Sequence, residues 1–143
     1  MSNHPEYQME ESVFHGYRIV ELLHNGAPIH EFDEHFRFGE NKAILFLACM
    51  SVVKELAFTP PGEMPDIEKG QTINDEVAGT SILVEFFREF ERSDGRRIKV
   101  PWVKLTSLRD PNVYIGIGRQ KAKAIVMLRK QLAEWANYPL VDE

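Results

Sequence analysis

The sequence predicts an α+β fold made of two β-hairpin(meander)-then-helix repeats, with antiparallel twisted sheets packed against two helices. Three observations predict it. Phe38-Gly39-Glu40-Asn41-Lys42-Ala43 is matched by Ile117-Gly118-Arg119-Gln120-Lys121-Ala122. Each hexamer opens an apolar or amphipathic run that carries Glu then Ala near its end, Glu55 and Ala57 in one and Glu134 and Ala136 in the other. Each is also preceded by a tight-turn dipeptide, Asn25-Gly26 and then Asp94-Gly95, residues that tolerate positive φ in a hairpin.

The first repeat reads as strands from Val13 to Leu23 and from Ile29 to Phe38. In the latter, His30, Phe32, Glu34, Phe36 and Phe38 alternate with Glu31, Asp33, His35 and Arg37, the period of a half-buried strand. A helix follows over about 41–57. Ile44, Leu45, Phe46, Leu47, Met50, Val52, Val53 and Leu56 make it apolar on nearly every side, so it must be covered all round. The run Ile44 to Val53 is accordingly a candidate surface for a homodimer.

Residues 59–80 hold Pro60, Pro61, Gly62, Pro65, Gly70 and Gly79, together with five acids against Lys69. A segment of that length without secondary structure is functional or mobile, and it reads as a mobile acidic linker. The second repeat then begins with a strand that places Ile82, Val84, Phe86 and Phe90 on one face and ends near Arg92. The return strand, Arg97 to Leu105, contains Pro101, which cannot donate to a ladder and so predicts an edge or a bulge. A turn at Arg109-Asp110-Pro111-Asn112 leads to a short strand over 113–117, one strand more than the first repeat shows. The last helix, about 119–136, has its apolar stripe at Ala122, Ile125, Leu128, Leu132 and Trp135. The organisation is thus 1–58, an acidic first repeat; 59–80, a linker; and 81–143, a basic second repeat, together one structural domain.

Composition bounds the rest. A chain of 143 residues, 43% hydrophobic and 27% charged, buries enough surface to fold without a disulfide or metal. Cys49 is the only cysteine, which fits a reducing compartment. The start, MSNHPEYQMEES, has neither the basic nor the apolar region of a signal peptide, and no apolar run approaches the ~20 residues of a membrane span. A cytoplasmic protein without membrane contact is expected. The net charge of −5 is unevenly spread: residues 1–79 hold 5 basic and 14 acidic side chains, and 86–133 hold 12 basic against four acidic. Such segregation bears on partners, although the two halves can simply attract each other.

Two segments carry candidate chemistry. Arg88, Arg92, Arg96, Arg97, Lys99 and Lys104 crowd a hairpin in which Phe86, Phe87, Phe90 and Trp102 are interleaved. Guanidinium groups grip phosphate oxygens and exposed aromatic rings stack on unpaired bases. The alternative is that the rings face the core while the arginines pair with Glu89 and Glu91. In Gly116-Ile117-Gly118-Arg119-Gln120-Lys121, a glycine-rich turn opens a helix, whose free amides bind anions. Arg119 and Lys121 stand in the first turn, where the helix dipole disfavours cations unless an anion is near. Gly116, Gly118, Arg119 and Lys121 are therefore a candidate phosphate site; the alternative is a turn that merely needs glycine, and the matching Lys42 argues for it. The histidines have no metal-ligand spacing, because His30 and His35 point to opposite faces of a continuous strand. Cys49 on an apolar helix is packing, not a nucleophile. No catalytic constellation, metal site or cofactor is expected.

The stretch from Phe86 to Ala136, a basic hairpin leading through Val113-Tyr114-Ile115-Gly116-Ile117 into a helix, resembles the PC4/Whirly/PUR group of single-stranded nucleic-acid binders. Val13 to Ala57 fits the same pattern more loosely, being acidic and shorter of strands. The resemblance implies two paired units that bind strands across the sheet surface, with Arg88, Arg92, Arg96, Arg97, Lys99, Trp102 and Lys104 as contacts. The expected function is that of an accessory or regulatory protein binding single-stranded DNA or RNA. The alternative is a protein-interaction or assembly module, homodimeric and without a nucleic-acid or catalytic role.

Overall fold

The computed structural model describes residues 5–32 and 34–140. The first repeat opens with a hairpin of β1 (Tyr7–Phe14) and β2 (Tyr17–His24). His15 and Gly16, both at positive φ (50° and 82°), form a turn that breaks the strand expected over Val13 to Leu23. The next turn is the expected one: Asn25 and Gly26 take φ of 52° and 79°, both values of a type I′ turn. It leads to β3 (Ala27–Pro28), which pairs with the end of β2.

The strand expected over Ile29 to Phe38 does not run through. It folds on itself as a two-stranded hairpin, β4 (His30–Glu31) and β5 (Glu34–His35), with Phe32 at a φ of 59°. His30 and His35 thereby become cross-strand partners with ring centroids 4.2 Å apart. The chain rejoins the first sheet as β6 (Arg37–Gly39), paired with β2.

Gly39 then starts α1 (Glu40–Ala48), which passes through Cys49 into α2 (Met50–Phe58). The break at Cys49 has φ −104° and ψ 31°. Its counterpart 79 positions later is Leu128, at φ −106° and ψ 16°, between α3 (Arg119–Met127) and α4 (Arg129–Trp135). The repeat seen in the hexamers therefore extends to the bend in each helix.

The linker expected over 59–80 ends sooner. Gly70–Asp75 is β7, an edge strand antiparallel to β8 (Thr80–Phe87). After β8 the chain forms a small hairpin, β9 (Phe90–Glu91) and β10 (Arg97–Ile98). The hydrogen bonds Arg92 N–H to Arg96 O at 2.7 Å and Gly95 N–H to Arg92 O at 2.9 Å close it. Only Gly95 has positive φ (86°) there, so this is a three-residue loop with a bulge, not a two-residue turn. Pro101 interrupts the return strand instead of marking an edge. Past it, β11 (Trp102–Ser107) lies inside the sheet between β8 and β12 (Tyr114–Ile117), in the order β12-β11-β8-β7.

Each repeat's helix packs on the other repeat's sheet as well as its own. α1 touches β11, α3 touches β2, and α2 lies along α3. One core results, which takes Val20, Leu22 and Phe38 from the first sheet, Phe36 from just before β6, and Ile82, Val84, Val103, Leu105 and Ile117 from the second sheet. The five residues of the expected stripe on the last helix are all buried in it. So is most of the first helix: of Ile44 to Val53, only Ile44, Ala48 and Ser51 are not buried. The apolar run expected to offer a homodimer surface is thus covered by the chain's own sheets and by α3. No described helix is long and apolar enough to cross a membrane.

Candidate functional site

The N-terminus of α3 holds an anion supplied by the chain. The amides of Gly118, Gln120 and Lys121 donate to the Glu31 carboxylate at 2.8, 2.8 and 3.2 Å. This carboxylate meets the electrostatic demand that Arg119 and Lys121 create in a first helical turn, so a phosphate on these amides would have to displace it. Burial pushes the Glu31 carboxyl up from its ordinary range, opposed by the three amides and by the Lys121 ammonium. Gly118 makes the approach possible. A Cβ there would lie 2.7 Å from the Glu31 carboxyl carbon and 2.8 Å from the Phe32 ring, whereas at the equivalent Gly39 it would meet only the Arg18 carbonyl, at 3.6 Å.

The remaining residues of that candidate phosphate site separate. Arg119 faces a shallow depression with Glu6, Tyr7, His24 and Lys123. Gly116 lies under Trp102, where a Cβ would come within 3.2 Å of the indole ring. Lys121 is buried, with 1% of its side chain exposed, and its Nζ lies 4.0 Å from Glu34 Oε2 and 5.4 Å from the Phe36 ring centroid. Desolvation lowers its pKa, as does the neighbouring Lys42; Glu31 and Glu34 act the other way.

Trp102, Phe87 and Lys104 lie on the face of the second sheet turned away from the core, and Arg88, Arg92, Arg96, Arg97 and Lys99 lie beyond that sheet, in and around the β9–β10 hairpin. Pleating sends Val103 and Leu105 into the core and Trp102, Lys104 and Thr106 outward, where they lie opposite Phe87, Glu85 and Leu83 on β8. Trp102 stacks on Phe87 with centroids 4.4 Å apart and planes 17° apart, and its indole N–H donates to the Glu89 carbonyl at 2.6 Å. Phe90 leaves the core-facing row expected for it. It stacks instead on Phe32 of the first repeat at 4.2 Å, near Trp102. Phe87, Phe90 and Trp102 remain half-buried, while Arg88, Arg92, Arg96, Arg97 and Lys99 are exposed. The carboxylates near Arg96 and Arg97 are local ones, Asp94 at 3.7 Å and Glu89 at 4.0 Å. These are loose, exposed pairs worth little in water.

Trp102, Lys104, Gly116 and Lys121 meet in a cleft of about 500 Å³ between the repeats, which Phe32, Glu34, His35, Arg37, Lys42, Phe90 and Tyr114 also line. Lys104 Nζ lies 4.8 Å from the Tyr114 ring centroid. The sequence offered one signal for this cleft, the match between Lys42 and Lys121. The hairpin that brings Phe32 and Glu34 to it is hidden by the uninterrupted alternation of residues 29–38. Among the described residues no group of three or more His, Cys, Asp or Glu side chains is placed to hold a metal. Burial and the Asp75 charge push the Cys49 thiol up to about 12, far from a reactive thiolate.

No protein-family model, curated protein or solved structure matches this chain.

Proposed function

We propose that the protein binds single-stranded DNA or RNA across the outer face of the second sheet, as an accessory or regulatory factor. The observation that carries this reading is the half-exposed Trp102–Phe87 stack, whose Phe87 lines one depression with Arg88 and Arg97, while Arg92, Arg96 and Lys99 are exposed nearby in the chain. Aromatic faces accept any base, and the guanidinium groups of Arg88, Arg96 and Arg97 donate to successive phosphates. In a chain of net charge −5, such a concentration of cations directs a polyanion to one place.

Fluorescence anisotropy with labelled single-stranded DNA and RNA, at low and at physiological salt, tests it. Micromolar or tighter binding that weakens with salt is expected, with loss of most of it in Arg96→Ala/Arg97→Ala. Absence of binding at low salt would end this reading.

One observation favours the second reading, an assembly module. Val13, Phe14 and Tyr17 at the tip of the first hairpin are 69%, 58% and 75% exposed, an apolar cluster of the sort that marks contact sites. Sedimentation of wild type against Phe14→Ser/Tyr17→Ser would register a self-associating surface there.

A further inference from the structure

The cleft between the repeats has a feature that the open sheet face lacks. Lys42 and Lys121 hold equivalent positions in the two repeats, 79 residues apart, and the interlocked fold turns both into the same cavity. The charge of Lys42 works against that of Lys121. Lys121 is buried, and two carboxylates act on its ammonium: Glu31, already held by the α3 amides, and Glu34, 4.0 Å away on a side chain that is 75% exposed. Arg37 and Lys104 add two further cations to the lining. Four cations set against the two carboxylates of Glu31 and Glu34 leave the cleft with an excess of positive charge, which a bound anion relieves. The aromatic rings of Trp102 and Tyr114 stand in the same wall. The volume, about 500 Å³, is in the range of sites that enclose one small ligand.

We propose that this cleft receives a nucleoside phosphomonoester, with the phosphate held by Lys42 and Lys121 and the base laid against Trp102 or Tyr114. Two sources supply that chemistry: the 5′-phosphorylated end of a nucleic-acid strand and a free mononucleotide. In the first case the inference deepens the strand-binding reading and rests on it, because Trp102 and Lys104 belong to both surfaces. An incoming dianionic phosphate has to displace only the solvent-screened charge of Glu34, because the Glu31 carboxylate stays on the α3 amides.

The full chain is titrated against 3′-labelled single strands that carry either a 5′-phosphate or a 5′-hydroxyl, and separately against adenosine 5′-monophosphate by calorimetry. The 5′-phosphorylated strand is expected to bind about tenfold tighter or more. Lys42→Met and Lys121→Met should each abolish that preference, and Glu34→Gln should enlarge it. Removing a buried ammonium leaves its carboxylate neighbours uncompensated and is costly, so the half-buried Lys42 provides the second variant should Lys121→Met not fold. Equal binding of the two strands, with no heat from the mononucleotide, overturns the cleft inference while strand binding on the sheet face stands. Mononucleotide binding that needs Lys42 and Lys121, without strand binding, overturns the sheet-face reading and assigns the cleft to free nucleotides.

Discussion

At the scale of single residues, Gly118 and Gly39 show how one backbone conformation acquires two different demands. Both precede a helix in extended geometry, with φ of −104° and −94°, so neither needs glycine for its torsion angles. Gly118→Ala is expected to destabilise the protein by about 1–3 kcal/mol in chemical denaturation, because the new methyl meets the Glu31 carboxyl and the Phe32 ring. Gly39→Ala should stay within about 0.5 kcal/mol. Lys121 makes a second prediction. Its pKa is lowered in the folded state, so over the window from that lowered pKa up to the ordinary 10.5 the unfolded chain binds more protons than the folded one. Stability from this group therefore rises with pH across the window and is reduced below it. Lys121→Met, which removes the ammonium from among Glu31, Glu34 and Lys42, should flatten that rise in denaturation curves collected at successive pH values. The sequence revealed that Lys42 and Lys121 correspond, but not that Lys121 is buried, since the carboxylates and the ring around it come from residues 31–36.

At the scale of elements, the hairpin β4–β5 ties the repeats together through Glu31, whose partners stand 87 to 90 positions away. Glu31→Ala should cost about 1–2 kcal/mol, the range for losing a helix cap. It should also speed hydrogen exchange at the Gly118, Gln120 and Lys121 amides relative to those of Gly39 and Asn41, as NMR would measure. The elements that sequence made legible are those specified locally: the Asn25-Gly26 turn, the stripe of the last helix, and the strand that ends at Ile117. Others were masked by their composition. Val13, Phe14 and Tyr17 continue an apolar run through the His15-Gly16 turn, so the turn leaves no mark. In β7, Gln71, Thr72, Ile73 and Asn74 lie at a sheet edge between two glycines and read as a loop, because only one side of that strand is paired.

At the scale of the whole molecule, the two repeats share one core and neither holds a complete one. Arg18 on β2 binds Glu40, donates to the Trp135 carbonyl at 3.0 Å and lies 5.0 Å from the Trp135 ring centroid, so it joins the first hairpin to the end of the last helix. Residues 1–69 or 70–143 expressed alone should therefore lack cooperative unfolding by circular dichroism, whereas the two fragments co-expressed should reassociate and recover it. Two well-dispersed, independently folded halves would overturn this. The boundary between the repeats was legible from the sequence as a change in charge and a run of proline and glycine. Their interdependence was not, because no local pattern records which sheet a helix will cover.

The crossing of helices between sheets bears on oligomeric state through the length of chain that connects the repeats. Residues 59–69, which run from the end of α2 to the start of β7, have to let the second repeat return to the first within one molecule. Shorten that connection, and the same contacts can be made only with the corresponding half of another molecule. A chain lacking residues 61–66 is thus expected to form a domain-swapped dimer with an unchanged core, and its melting temperature should rise with protein concentration while that of the intact chain does not.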